Sequence, residues 1–304
     1  MKGASEESLS LLTYPLILAD FFMDYSLKTV LSIGGSDPLG GAGIQADIRA
    51  ISSMGCHPLS VITSVTCQNS KGVSHILPLP PQIIAGQISS ILEDACPDAI
   101  KIGMCGSPEI IEEIAQFISA APSSVFVIID PVLSASAGGN LHNQKSSEFI
   151  WELYLSKLLP TADVITPNLP EAKKLLKIAK ISKDLNSLKP QEMAISLLEV
   201  CGCKALVLKG GHGSSKKITD LMACRINNKI EIIEYSHPRI NTGNLHGSGC
   251  VFSSILASCL ALGFGFKEAF METSEKMENI IRKSSGYELG FSDYGPLNIN
   301  NYKF

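Results

Sequence analysis

The segment from His246 to Ser254 carries the residue pattern with the clearest chemical meaning in this chain. Gly247 and Gly249 let the backbone approach a ligand without a side chain in between. The small, apolar run that follows and ends at Gly263 predicts a buried helix that begins near Gly247. Because free N–H groups and the positive dipole end meet at the start of a helix, this segment predicts an anion-binding site.

Cys250 lies in the first turn of this predicted helix, directly after Ser248 and Gly249. A helix start lowers the pKa of a thiol, so the pattern predicts an accessible thiolate at the anion site. The simpler alternative is a glycine-rich helix start with a buried cysteine, since short glycine motifs recur by chance. This segment alone does not choose between them.

The elements that would position this segment alternate along the chain. Apolar, β-branched runs predict strands at residues 29–33, 61–66, 99–102, 125–129, 162–165 and 205–208, and helical spacing predicts helices at 44–54, 82–93 and 110–118. Strands that are apolar throughout are typical of a parallel sheet covered on both faces. We therefore predict one α/β domain over residues 28–304, with a mostly parallel central sheet and an antiparallel edge strand at 229–235.

Polar or glycine residues follow directly after three of the predicted strands. They are Asp130, Asn168, Lys209, Gly210 and Gly211. In open α/β sheets, ligands bind at the carboxyl ends of the strands. The sequence therefore predicts that a ligand site lies at this edge.

Each polar candidate also has a purely structural explanation. Asn168 and Glu171 are three residues apart, which suits either a helix cap or a hydrated Mg²⁺ near phosphates. Lys209 is either a solvated strand end or a charge against a polyphosphate. Asp47 and Gln68, taken singly, are explained as surface residues.

Composition excludes several functional classes. The net charge is −4 and only 18% of residues are charged, so the chain lacks an extended basic face for nucleic acid. Its nine cysteines form no repeated CxxC pair of the kind that binds zinc. Reduced thiols in a cytoplasmic enzyme are the expected state.

Residues 1–27 are expected to be a loosely ordered extension of the domain. An apolar stretch there is interrupted by Pro15 and Asp20, so it resembles neither a signal peptide nor a membrane span. We expect Met23 to be the natural start and no membrane partner to be involved.

Seven segments, in order between residues 29 and 284, resemble the signatures of the hydroxymethylpyrimidine/phosphomethylpyrimidine kinases of the ribokinase-like superfamily. They are IGGSDP with GGAGIQAD at 33–47, VIT with QN at 61–69, KIGM at 101–104, DPV at 130–132, TPNLPEA at 166–172, KGGH at 209–212 and HGSGC at 246–250. Seven signatures in family order are far more specific than any one of them.

The resemblance implies a ribokinase-like fold and two ATP-dependent phosphorylations in thiamine biosynthesis, of hydroxymethylpyrimidine and then of its phosphate. Carried over by position, it implies that Gly34, Asp47, Gln68 and Met104 bind the pyrimidine, that Asn168, Lys209 and Gly211 bind ATP, and that Asp130 and Glu171 organise Mg²⁺. It also implies that Gly247, Ser248, Gly249 and Cys250 form the anion hole. Cys250 takes the position of the aspartate base of most ribokinase relatives.

The chain departs from this family pattern at three positions. Ser248 replaces a threonine but keeps the hydroxyl, whereas Gly243 and Leu245 replace a lysine and a threonine beside the phosphates. Gly243 and Leu245 leave open a pyrimidine-binding relative without catalysis. A pyridoxine or pyridoxal kinase also stays open, because the resemblance extends to relatives with the same cysteine motif that phosphorylate that ring. A homodimer is likewise left open.

Overall fold

The computed structural model describes residues 27–132, 147–181, 184–185, 187–211, 215–227, 229–289 and 295–300. The predicted extension at residues 1–27 lies outside the described residues except for Leu27. None of the helices in these ranges is long and apolar enough to cross a membrane.

Nine strands in the described residues form one sheet, in the order β3-β2-β1-β4-β5-β6-β7-β8-β9. Their bounds are β1 Thr29–Ser36, β2 His57–Asn69, β3 Gly72–Pro78, β4 Ala99–Ile102, β5 Phe126–Ile129, β6 Val164–Ile165, β7 Ala205–Leu208, β8 Lys217–Ile226 and β9 Lys229–Pro238. The six central strands, β2-β1-β4-β5-β6-β7 in sheet order, pair in parallel. Strand β3 at one edge, and β8 and β9 at the other, pair antiparallel. The predicted mostly parallel sheet and its antiparallel edge strand are confirmed.

The helices lie on both faces of this sheet. They are α1 Gly43–Ser53, α2 Pro81–Asp94, α3 Pro108–Ser119, α4 Ser147–Leu153, α5 Leu169–Ile178, α6 Pro190–Cys201, α7 Ser248–Ala261 and α8 Phe266–Ser284. Two hydrophobic cores lie between the helices and the two faces of the sheet, and neighbouring residues of one strand point into different cores. Ile129 belongs to the core with α2, α3 and α5, whereas Ile128 belongs to the core with α1, α7 and α8. This alternation explains why the strands are apolar at every position.

Helix α7 lies between α1 and α8 on one face of the sheet, and every residue from Val251 to Ala261 is buried. It begins after Gly247, whose φ is 78°, and Gly263 follows its end with a φ of 91°. Both features match the helix predicted from the sequence. A helix that is apolar all round must be covered on all sides, and here α1, α8 and the sheet surround it.

The sequence patterns missed several elements at the edges. Strands β3 and β8 and helices α4, α6 and α8 were not predicted, and β2 is longer than the predicted strand at 61–66. Helix α5 begins at Leu169, two residues later than expected from Pro167. Strand β3 contains no fully buried residue, so it lacks the alternation that identifies a half-buried strand.

Candidate active site

A cavity of about 320 Å³ opens where the parallel strands end and α7 begins. Each residue that the sequence assigned to the site lines this cavity: Gly34, Asp47, Gln68, Met104, Asp130, Asn168, Glu171, Lys209, Gly211, Gly247, Ser248, Gly249 and Cys250. His212, the last residue of the KGGH segment, lies outside the described residues. Residues from strands far apart in sequence meet here because parallel strands end at the same edge.

The start of α7 is packed against the loop that precedes α1. A Cβ atom on Gly247 would overlap the carbonyl oxygen of Gly41, and it would lie 2.9 Å from the Cα of Ala42. A Cβ on Gly43 would in turn overlap the carbonyl oxygen of Gly35. Glycine is needed at 247 and 43 for this approach and for their positive φ angles of 78° and 57°.

The pair Asp130 and Lys209 lies directly against the first turn of α7. Lys209 Nζ is 2.7 Å from Asp130 Oδ1, and a Cβ on Gly249 would be 3.1 Å from that ammonium. Burial lowers the pKa of Lys209, but the carboxylates of Asp130 and Glu171 outweigh it and raise the pKa overall. The lysine therefore keeps its charge beside the helix start.

Asn168 and Glu171 form a capping box at the start of α5. Asn168 Oδ1 accepts the N–H of Glu171 at 2.9 Å, and Glu171 Oε2 accepts the N–H of Asn168 at 2.8 Å. Burial raises the pKa of Glu171 to about 7, with Lys209 acting against this and Asp130 with it. The structural explanation of this pair is thus confirmed, and the cap holds Glu171 in the cavity wall.

A hydrated Mg²⁺ fits the carboxylates at this edge. Asp130 Oδ2 is buried and has no hydrogen-bond partner among the described residues, while Oδ1 is taken by Lys209 and by Thr166 at 3.1 Å. No group of three or more metal-ligating side chains occurs in the described ranges. Mg²⁺ commonly takes only one or two carboxylates and keeps its waters, so the donor set suits it.

Asp47 is placed differently from its predicted role. Its carboxylate is fully buried and accepts hydrogen bonds from Ser32 Oγ at 2.6 Å, Ser254 Oγ at 2.8 Å and Lys101 Nζ at 2.8 and 2.9 Å. Each carboxylate oxygen therefore has two donors already. The direct bond from Asp47 to a substrate, expected from the sequence, does not fit this arrangement.

Gln68 lies beside a hydrogen-bonded histidine–aspartate pair in the cavity wall. Its amide nitrogen lies 3.1 Å from Nε2 of His246, which lies 2.8 Å from Asp37 Oδ2. Burial raises the pKa of Asp37, but His246 and the backbone N–H groups of Ala42 and Leu39 lower it overall. Because an ionised Asp37 only accepts, His246 donates its Nε2 proton to Asp37, and the same nitrogen cannot also accept from the Gln68 amide.

Cys250 is partly buried in the first turn of α7. Burial raises the pKa of its thiol to about 11, although the Lys101 ammonium acts in the opposite direction. The sequence-based prediction of a lowered thiol pKa is therefore wrong for the protein without its substrates. Desolvation of the thiolate outweighs the contributions that favour its charged form.

Met104 and the glycines of β1 form the apolar side of the cavity. A Cβ on Gly35 would be 3.4 Å from Met104 Sδ, and the backbone carbonyl of Met104 accepts a bond from Thr63 Oγ1 at 2.7 Å. The strand segment Gly34–Gly35, which has no side chains, thus borders the thioether of Met104 at Gly35.

Sequence reasoning did not assign Lys101, Asp37 or His246 to the site, although all three line the cavity. A usable signal was present for Lys101, since a lysine inside the apolar strand Ala99–Ile102 needs a buried partner. For His246 and Asp37 the sequence carries no such signal, because they are 209 residues apart.

The phosphomethylpyrimidine kinase family model matches residues 37–298 of this chain. The chain belongs to this family. Hydroxymethylpyrimidine/phosphomethylpyrimidine kinase of Bacillus subtilis (strain 168) is 36% identical over 280 residues, covering 91% of this chain and 97% of that protein. The enzyme of the same name from Haemophilus influenzae is 36% identical over 277 residues, covering 90% and 97%.

Solved structures of family relatives confirm the predicted ribokinase-like α/β fold. The pyridoxal kinase from Staphylococcus aureus in complex with ADP has a TM-score of 0.77 at 28% identity and covers 91% of this chain and 95% of its own. The phosphomethylpyrimidine kinase from Clostridium difficile 630 has a TM-score of 0.67 at 34% identity and covers 84% and 99%. The family member described here is therefore a kinase, related to both substrate classes.

Proposed function

We propose that this kinase uses ATP to phosphorylate 4-amino-5-hydroxymethyl-2-methylpyrimidine and then phosphorylates the monophosphate to the diphosphate, in thiamine biosynthesis. The observation that carries the proposal is the junction of Cys250, the glycine start of α7 and the Lys209–Asp130 pair in one cavity. The identity to curated hydroxymethylpyrimidine/phosphomethylpyrimidine kinases supports the substrate class.

The chain's own groups suit phosphoryl transfer. This reaction asks a protein mainly to position the reactants and to neutralise charge on the transferred group. The close packing of Gly247 against Gly41 fixes the start of α7. The backbone N–H groups of Gly249 and Cys250 can therefore stabilise that charge without reorganising, while the N–H of Ser248 is held by the carbonyl of Leu245. Lys209, held by Asp130, lies along the path of the polyphosphate.

Mg²⁺, when bound by Asp130 and Glu171, would neutralise charge on the polyphosphate. Asn168 contributes by holding Glu171 through the capping box. Asn168, Lys209 and Gly211 are assigned to ATP by their positions in the family signatures, and the complexes of solved relatives with ADP and AMP-PCP support ATP as the co-substrate.

Cys250 is assigned as the acceptor of the hydroxymethyl proton in the first phosphorylation. In the second phosphorylation the nucleophile is already an anionic phosphate, so no such acceptor is needed. With a thiol pKa of about 11, the thiolate fraction increases tenfold for each pH unit near neutrality. The rate of the first step should therefore rise between pH 7 and pH 9, and that of the second should not.

Pyridoxal kinase is the second candidate, and a specific observation favours it. The TM-scores to the pyridoxal kinase structures, 0.77 and 0.74 for the Staphylococcus aureus and Bacillus subtilis enzymes, exceed the value of 0.67 for the phosphomethylpyrimidine kinase from Clostridium difficile. Sequence identity has the opposite order, at 28% and 27% against 34%. Pocket chemistry rather than overall shape decides between substrates, so we rank the pyrimidine first.

One experiment tests these functions together. Purified protein with Mg²⁺ and ATP is supplied with hydroxymethylpyrimidine, its monophosphate, pyridoxal or pyridoxine, and ADP release is followed by a coupled assay. We expect the highest kcat/KM for hydroxymethylpyrimidine and measurable turnover of the monophosphate. A higher kcat/KM for pyridoxal would replace the proposal with the second candidate. Absence of ADP release with every acceptor would favour a binding protein without catalysis.

A further inference from the structure

Lys101 is a fully buried lysine at the floor of the active-site cavity. It projects from β4, and its ammonium is 2.8 and 2.9 Å from the two carboxylate oxygens of Asp47 on α1. Its side chain is 1% exposed and that of Asp47 is not exposed at all. Removing two charges from water is costly, so a pair this deep needs a reason beyond stability.

Asp47 accepts only two of the three N–H groups of the Lys101 ammonium. A lysine ammonium has three N–H donors, and two of them bind the carboxylate. Within the described part of the chain, no other atom accepts the third. Because Lys101 lines the same cavity as Cys250, the third donor is available to an acceptor at that end of the site.

The packing of α7 brings Cys250 to this pair. Ser254, one helical turn after Cys250 on the same face, donates to Asp47 Oδ1 at 2.8 Å. The face of α7 that carries Cys250 is therefore anchored on Asp47, and through Asp47 on Lys101. A side chain on this face, such as that of Cys250, is therefore held near the Asp47–Lys101 ion pair.

The charges around Cys250 are arranged so that Lys101 is its main cationic neighbour. The Cys250 thiol interacts electrostatically with Lys101 on β4, with Asp47 on α1, and with Asp130 and Lys209, which follow β5 and β7. Lys101 lowers the pKa of the thiol, whereas burial and the two carboxylates raise it. Burial lowers the pKa of Lys101, but Asp47 and Cys250 raise it by more than burial lowers it. The pKa is raised overall, so the lysine stays charged.

We propose that Lys101 is a positioning residue for the first phosphorylation, which directs its third N–H to the sulfur of Cys250 and stabilises the thiolate that accepts the alcohol proton. The proton moves from the hydroxymethyl oxygen to Sγ while that oxygen bonds to the γ-phosphorus and ADP leaves with the electron pair of the broken bond. Lys101 remains an ammonium throughout. This inference rests on the role proposed above for Cys250.

The test is a double-mutant cycle between the ion pair and the thiol. The pair is replaced together, as Asp47→Asn with Lys101→Met, so that no buried charge is left alone. We expect the pair replacement to slow phosphorylation of the alcohol roughly 10- to 100-fold, the worth of one hydrogen bond to a charged group. In Cys250→Ala enzyme the same replacement should have no further effect, because interacting groups are not additive. Phosphorylation of the monophosphate should change little.

A matched control is available at the opposite end of the sheet. Lys28 Nζ is 3.0 Å from Asp98 Oδ1, so Asp98→Asn with Lys28→Met makes the same chemical change far from the cavity. This control should leave both rates unchanged. If Asp47→Asn with Lys101→Met does not fold, Asp47→Asn with Lys101→Gln keeps an amide hydrogen bond between the two positions and has the same expected result.

Alkylation of Cys250 gives a readout that does not depend on kinase activity. In enzyme with Cys67→Ser and Cys96→Ser, which removes the two exposed thiols, iodoacetamide labelling of the Cys250 peptide is followed by mass spectrometry at pH 8. We expect roughly tenfold slower labelling without the Lys101 charge.

The outcomes separate the two proposals. Equal slowing of the alcohol reaction in Cys250 and Cys250→Ala enzymes, or an unchanged labelling rate, would overturn the role of Lys101. If Cys250→Ala alone leaves the first phosphorylation at the wild-type rate, the proposed role of Cys250 fails, and the inference about Lys101 fails with it.

Discussion

Replacing Gly247 by alanine tests the close packing that presents the start of α7 to the cavity. Gly247 has a φ of 78°, and an added Cβ would overlap the carbonyl oxygen of Gly41 and lie 2.7 Å from its carbonyl carbon. These neighbours are backbone atoms, so they cannot rotate away as a side chain could. The loop before α1 or the first turn of α7 must therefore move.

The expected cost has two parts. An alanine in the left-handed region costs about 1 kcal/mol relative to glycine. Forcing the two backbones apart adds roughly 1–3 kcal/mol, as overpacking does elsewhere. We expect Gly247→Ala to reduce the free energy of unfolding by about 2–4 kcal/mol.

Gly263, at the other end of the same helix, provides the matched control. Its φ is 91°, and an added Cβ would have no neighbour within 4 Å. Gly263→Ala should therefore show only the backbone cost of about 1 kcal/mol. The difference between the two variants isolates the close approach from the left-handed conformation.

Urea unfolding and steady-state kinetics check this prediction. Gly247→Ala should also lower kcat/KM by roughly 10²-fold, because a shift of about 1 Å in a positioning element has that effect. Gly263→Ala should keep the wild-type activity. Equal destabilisation by the two substitutions, with activity retained in both, would refute the packing argument.

Three further predictions follow from the cavity. Cys250→Ala should slow the first phosphorylation by roughly 10²–10⁴ and the second far less; equal slowing of both would make the thiol a structural part of the anion hole. Gln68→Ala should raise KM for the alcohol by roughly 5- to 100-fold, the worth of a lost buried bond, with KM for ATP unchanged; equal increases in both would make Gln68 structural. Because burial raises the pKa of Glu171 from 4.5 to about 7, the unfolded chain releases this proton first. The melting temperature of the wild type should therefore fall relative to Glu171→Gln as pH rises from about 4.5 to about 7, and parallel curves would contradict this.

The central fold could be predicted from the sequence because its signals are local. Apolar runs such as residues 125–129 and 205–208 are strands buried on both faces, and each of them is directly followed by a polar residue of the site. The glycines before and after α7 mark both of its ends. Parallel strands end at one edge, so the order of these segments was enough to collect Asp130, Asn168 and Lys209 in one cavity.

The edges of the fold and the partners within the site were decided by tertiary structure. Strand β3 has no fully buried residue of its own. In α8, three of the six buried side chains carry hydroxyls, namely Thr273, Ser274 and Ser284. Neighbouring elements therefore stabilise both. The expectations of a loosely ordered extension at residues 1–27, of a homodimer and of a cytoplasmic location remain predictions.

The sequence alone brought its predicted site residues to one cavity, whereas the tertiary structure added Lys101, Asp37 and His246 and decided which groups are paired or charged. Asp47 was expected to bind substrate, but Lys101, 54 residues away, takes both of its oxygens. Cys250 was expected to be a thiolate from its helix position, but burial raises its pKa to about 11. Position follows from chain order and hydrophobic pattern, whereas charge depends on solvent exclusion and on groups brought from elsewhere in the chain.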